Sequence, residues 1–164
     1  MQTRKTARVL LFDKQGRLLL MQMHDPNVAA TNGEVARDAY WVTIGGEIDE
    51  GEDIHAAALR EIAEETGHMN VRLGPAVWYG EHVLNVHGQP RLFQETFVVA
   101  FTDEDGLSNA SWTDEERLVI KGMKWWDVDE LYACRDTFFP TSLKENLLPI
   151  LEGIYPPVIL RIEP

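Results

Sequence analysis

The sequence predicts an α/β fold, a mixed β-sheet flanked by helices, formed by one domain over residues 1–164. Three observations lead there. Short apolar, β-favouring runs recur from Thr6 onward. One amphipathic helix, Asp53 to Thr66, stands between the early runs and the later ones. No repeat, low-complexity tract or linker divides the chain, and its 164 residues are enough to bury a hydrophobic core.

Thr6 to Phe12 reads as the first strand, Asp13-Lys-Gln-Gly16 as a turn and Leu18 to Met23 as the second strand, so the opening predicts a hairpin. His24 to Ala39 is polar and rich in small residues, with Pro26, Asn32 and Gly33, and is expected to be a mobile loop outside the core. Tyr40-Trp41-Val42-Thr43 is a short strand running into Gly45-Gly46. For the helix that follows, Asp53 is a natural N-cap, Ala56, Ala57 and Ala58 are strong helix formers, and Gly67 suits a left-handed C-terminal position. Leu59 and Ile62, with Ala58 and Ala63, supply its expected core-facing stripe.

Downstream, Val71 to Val86 and Arg91 to Thr102 read as strands, and Thr96 to Phe101 is apolar enough to be covered on both faces. Thr113-Asp-Glu-Glu116 reads as a solvated turn. Lys121 to Val128 is a shorter strand whose Trp125 and Trp126 must point to opposite faces. A helical turn from Asp129 to Cys134 follows. Thr141 to Gly153 reads as helical, with Pro149 expected to kink or split it.

The composition narrows the function. Fifteen Lys and Arg against 27 Asp and Glu leave a net charge of −12, which argues against a broad basic face gripping nucleic acid. A phosphorylated small molecule stays open, because bound cations reverse the local charge logic. The lone cysteine, Cys134, excludes an internal disulfide and fits a reducing compartment. The opening residues lead into a short apolar run broken by Asp13, so no signal peptide or membrane span is read there, and the expected location is the cytoplasm.

The chemistry concentrates between Gly46 and His68. Glu61, Glu64 and Glu65 are spaced so that all three carboxylates leave one side of the helix. By themselves they read equally well as a solvated acidic face. Arg60 stands beside Glu61 and four residues before Glu64, Glu52 can brace Arg60, and Gly45-Gly46 bends the chain where a carbonyl could face a metal. Hard oxygen donors grouped in this way suit Mg²⁺.

This segment resembles the Nudix box. Gly46, Glu52, Arg60, Glu61, Ile62, Glu64, Glu65 and Gly67 stand at its required spacings. Chance would match them on the order of once in several million, given average residue usage. One position departs: the closing apolar residue is His68. The order of strands is also similar to that family, which implies a Nudix-type α/β/α sandwich with a mixed β-sheet.

The resemblance implies a Mg²⁺-dependent hydrolase, with Mn²⁺ as a substitute, cleaving the diphosphate linkage of a nucleoside diphosphate joined to another group. It makes Glu61 and Glu65 the main metal ligands, with Glu64 a ligand through water or a proton acceptor. Arg60 orients the glutamates and the Gly45 carbonyl completes the metal shell; Gly46, Glu52 and Gly67 shape the loop. The general base varies in the family, and Glu95, Glu115 and Glu116 are candidates outside the box. Trp41 and Arg37 are candidate substrate contacts, as is Glu95. The expected partner is a small nucleotide derivative, not nucleic acid or membrane, and a homodimer is compatible.

Residues 83 to 86, Val-Leu-Asn-Val, carry none of the family's markers for ADP-ribose or dinucleoside polyphosphates, so the substrate stays open. A prenyl diphosphate isomerase of this fold needs a cysteine ahead of the box, and none occurs. The competing reading is a non-catalytic nucleotide sensor. Such domains tend to lose box glutamates, and all are present here.

Overall fold

A computed structural model describes residues 1–164. Nine strands share one sheet: β1 (Gln2–Phe12), β2 (Leu18–Met23), β3 (Val28–Ala29), β4 (Tyr40–Glu47), β5 (Val71–Val86), β6 (Gln89–Thr102), β7 (Ile120–Trp126), β8 (Phe138–Phe139) and β9 (Leu160–Arg161). Four helices accompany them: α1 (Ile54–Thr66), α2 (Asp114–Val119), α3 (Val128–Ala133) and α4 (Leu143–Leu151). Central β1 runs parallel to β6 from Gln2↔Arg91 to Phe12↔Phe101 and antiparallel to β4 from Thr6↔Glu47 to Val9↔Ile44.

Alternation along β1 divides the core into two layers. Val9 and Leu11 join Ala58 and Ile62 of α1, whereas Leu10 and Phe12 join Leu131 of α3 and Leu147 and Ile150 of α4. The sheet is thus covered on both faces, an α/β/α sandwich. No helix is long and apolar enough to cross a membrane.

Several expectations change. β1 and β2 do not form a hairpin ladder; they meet only at Phe12↔Leu18. The turn itself is firm, because the Asp13 carboxylate accepts from the Gln15 and Arg17 backbone N–H groups and pairs with the Arg17 guanidinium at 2.6 Å. Beyond it β2 pairs with β4 and β7 while β1 takes β4 and β6, which gives two apolar strands neighbours on both sides. The stretch after β2 is largely irregular, yet β3 ties it to the far end of β5 at Val28↔Val86, and the His87 N–H donates to the Asn27 carbonyl at 2.8 Å.

Leu59 is 42% exposed; the buried stripe of α1 is Ala57, Ala58, Glu61, Ile62, Glu65 and Thr66. Turning Glu61 and Glu65 inward rotates Leu59 to the water side. The Thr113-Asp-Glu-Glu116 run is a helix start, in which Thr113 and Glu116 form a reciprocal capping box for α2. Pro149 neither splits nor ends α4, since it sits in the last turns, where its missing N–H removes one bond. Its own carbonyl accepts from Glu152 and Ile154 as the helix closes.

Candidate active site

The site begins with a well-capped helix. The Asp53 carboxylate accepts from the Ala56 N–H at 2.8 Å, and Gly67 closes α1 at φ 81° with its N–H on the Ala63 carbonyl. Arg60 works as a clamp. Its Nε and Nη2 donate to the two oxygens of Glu52 at 2.8 and 2.9 Å. Its Nη1 reaches Glu61 at 2.9 Å and Glu64 at 3.2 Å, and Nη2 also donates to the Glu47 carbonyl at 2.8 Å. The guanidinium holds the Glu52 carboxyl at a pKa of about 2.

The three glutamates do not act alike. Glu61 and Glu65 turn onto the sheet, 8% and 4% exposed, while the Glu64 side chain is 50% exposed on the Arg60 side. The Gly45 N–H donates to both oxygens of Glu65 at 3.3 and 3.4 Å. A Cβ on Gly46 would stand 2.5 Å from Glu61 Oε1, so only glycine lets the carboxylate lie against this strand. Gly46→Ala is therefore expected to displace Glu61, raising the Mg²⁺ concentration for half-maximal turnover about tenfold. A metal titration of the variant checks this, and an unchanged curve would remove Glu61 from the site.

Burial pushes Glu65 well above the usual carboxylate range; the Arg8 charge opposes this, while the negative charges of Glu61 and Glu116 add to it. Burial raises Glu61 too, against hydrogen bonds from Glu65 and Arg60. Two adjoining buried carboxyls, both reluctant to ionise, form a site short of positive charge. No three His, Cys, Asp or Glu side chains converge as a full protein cage. Two adjacent carboxylates fit Mg²⁺, which keeps several waters; the Gly45 carbonyl expected to join them accepts from Arg8 at 3.3 Å.

Arg8 is the functional candidate that the sequence reading passed over. Its guanidinium donates to the Thr43 hydroxyl at 3.2 Å, the Gly45 carbonyl at 3.3 Å and the Thr43 carbonyl, and lies 3.6 Å from Glu95. The signal was present: Arg8 is the only charge within Thr6 to Phe12. Glu95 also pairs with His82 Nε2 at 2.5 Å. Burial works to raise the Glu95 pKa, but His82, Arg8 and Arg4 together hold it below the usual range.

Other candidates lie elsewhere. Trp41 is buried on the opposite face of the sheet, edge-on to Trp126 at 5.0 Å, with its indole N–H on Asp136 at 3.1 Å. It belongs to the α4-side core rather than to a pocket at the glutamates. Arg37 is exposed on the connection after β3, and Glu115 is exposed on α2. Glu116 spends one oxygen on the Thr113 N–H at 2.9 Å, though its charge still acts on Glu65. His68, 4% exposed, packs beneath the helix end through polar contacts to Thr102 and Gly106.

The sequence pattern described as NUDIX domain matches residues 2–146. The chain belongs to the Nudix family. Among relatives of this Nudix protein, an RNA pyrophosphohydrolase of Wolbachia pipientis subsp. Culex pipiens (strain wPip) is 28% identical, over 92% of each chain. An RNA pyrophosphohydrolase of Caulobacter vibrioides (strain NA1000 / CB15N) is 27% identical, over 99% of this chain and 87% of its own. The MutT protein from Methanosarcina mazei Go1 superposes with a TM-score of 0.58 at 14% identity, over 93% of each chain, a likeness of fold alone. The Nudix match and these relatives make the chain a Nudix pyrophosphohydrolase, an enzyme that hydrolyses phosphorus anhydrides.

Proposed function

We propose that this Nudix domain, over residues 1–164, hydrolyses the diphosphate linkage of a nucleoside diphosphate derivative with Mg²⁺ held by Glu61, Glu65 and the Gly45 carbonyl. The observation that carries the reading is the buried Glu61–Glu65 pair against Gly45 and Gly46, raised in pKa and short of positive charge. A bound divalent cation supplies charge for the phosphoryl oxygens and acidifies water. The protein's part is positional. Arg60 fixes Glu61 and Glu64, and Arg8, held by Thr43, the Gly45 carbonyl and Glu95, braces the strand that carries Gly45.

For the proton of water, Glu64 is the favoured acceptor. Its side chain is 50% exposed on the same helix and held only by Arg60 at 3.2 Å, whereas Glu95 is pinned between His82 and Arg8 and Glu116 is tied into its cap. Water adds to one phosphorus, the bridging oxygen leaves with the other phosphate, and the proton passes to the carboxylate.

A second reading of the substrate rests on the relatives' name, RNA pyrophosphohydrolase: a phosphoanhydride carried at the end of an RNA. It is compatible with a net charge of −12 if only the end enters the site, with no basic face along the strand. The test is a panel of nucleotide sugars, ADP-ribose, dinucleotides, nucleoside triphosphates, coenzyme diphosphates and 5′-triphosphorylated RNA with Mg²⁺. Cleavage of one class at its phosphoanhydride bond is expected, read as the two phosphate-bearing products separated by chromatography, and cleavage of RNA alone would select the second reading. No turnover of any by folded protein would overturn the proposal.

A further inference from the structure

Where the Nudix box closes on an apolar residue, this chain has a buried histidine. His68 Nε2 contacts the Gly106 carbonyl, so that nitrogen carries the proton, and Nδ1 stands 2.9 Å from the Thr102 hydroxyl. The segment that follows β6 is thereby tied to the end of α1. It is tied twice more: the Ser108 N–H donates to the Thr66 carbonyl at 2.9 Å, and the Trp112 indole N–H donates to the Glu65 carbonyl at 2.8 Å. Trp112 then leads directly into Thr113 and the capping box of α2.

The last turn of a helix leaves its carbonyls without intrahelical partners. Here two of them, at Glu65 and Thr66, are satisfied by the one segment that His68 anchors. We propose that His68 is a positioning residue for the cation site: with Trp112 it clasps the 102–113 segment to the end of α1 and thereby fixes where the Glu65 carboxylate stands. The clasp rests on the cation-site reading above and adds to it how the chain holds one ligand still. Partners behind a metal ligand characteristically change metal affinity by tenfold or more when removed.

The test uses Mn²⁺ binding, read by paramagnetic resonance, with amide hydrogen exchange on the same samples. His68→Leu removes both polar contacts, His68→Gln keeps a donor for Gly106, and Trp112→Phe removes the indole donor to Glu65. His68→Leu and Trp112→Phe are each expected to weaken Mn²⁺ binding about tenfold and to speed exchange over residues 104–112. His68→Gln is expected to recover most of the affinity. The double variant is expected to weaken binding no further than either single change. Wild-type Mn²⁺ affinity in folded Leu and Phe variants, whatever their exchange, would overturn the proposal and leave the cation site standing. Additive losses in the double variant would also overturn it. A wild-type protein that binds no Mn²⁺ would instead overturn the cation-site reading, and the clasp's role with it. If His68→Leu fails to fold, Trp112→Phe and His68→Gln carry the same test.

Discussion

Glu65→Gln is expected to lower turnover on the order of a hundred- to a thousandfold while making the metal-free protein more stable. The two effects share one cause. Glu65 is buried with Glu61 beside it, so its folded pKa lies above the unfolded value. Between those two values the folded protein binds more protons than the unfolded chain, and stability therefore falls as pH rises through that window. Metal-free wild type should accordingly melt at a higher temperature near pH 5 than near pH 7.5. Glutamine carries no charge, so its pH dependence should be flatter and its neutral-pH melting temperature higher. Added Mg²⁺ should stabilise wild type far more than the variant, since it favours the ionised carboxylates. Melting curves with chelator and with Mg²⁺ at both pH values check this. Equal pH slopes in the two proteins would show that Glu65 does not carry the buried charge.

Arg60→Ala is expected to combine a loss of stability with a loss of activity. The guanidinium joins Glu52, Glu61, Glu64 and the Glu47 carbonyl, so its removal strands the buried Glu61 carboxylate and frees the 47–52 loop. Removing one partner of a largely buried pair costs about 3 kcal/mol, which in a chain of this size lowers Tm by roughly 6–12 °C. Turnover should fall on the order of a hundredfold through misplaced glutamates. Arg60→Lys should recover little of either, because an ammonium cannot hold Glu52 through two oxygens and Glu61 at once. Thermal melts and steady-state kinetics of both variants read the outcome. A fully active, stable lysine variant would contradict the clamp.

What was legible in the sequence was what local signals encode. Asp53, the alanines and Gly67 mark α1 within a residue of its observed ends. Spacing puts Arg60 beside Glu61 and one turn from Glu64, and lets Glu52 be read as a brace for it, a contact the structure makes at 2.8 Å. Long-range pairing left no such trace. Nothing local says that β2 would leave β1 for β4 and β7, or that Trp41 would stack on Trp126 rather than face the glutamates.

Leu59 misleads because hydrophobicity alone cannot see that two buried glutamates take the inner face of their helix. The start of α2 stood in the sequence as Thr113 and Glu116 at capping-box spacing, masked by acidic residues that read as solvated. Arg8 was visible as one charge in an apolar strand. Its partners Thr43, Gly45 and Glu95 come from two other strands, and only the folded sheet brings them together.

The central claim is that Glu61, Glu65 and the Gly45 carbonyl hold the divalent cation. Crystals grown with Mn²⁺ and measured at its absorption edge test it most directly. The expected result is an anomalous peak in contact with both carboxylates and the Gly45 carbonyl, lost in Glu65→Gln. A catalytically active crystal with no peak there, or with its Mn²⁺ bound elsewhere, would contradict the account.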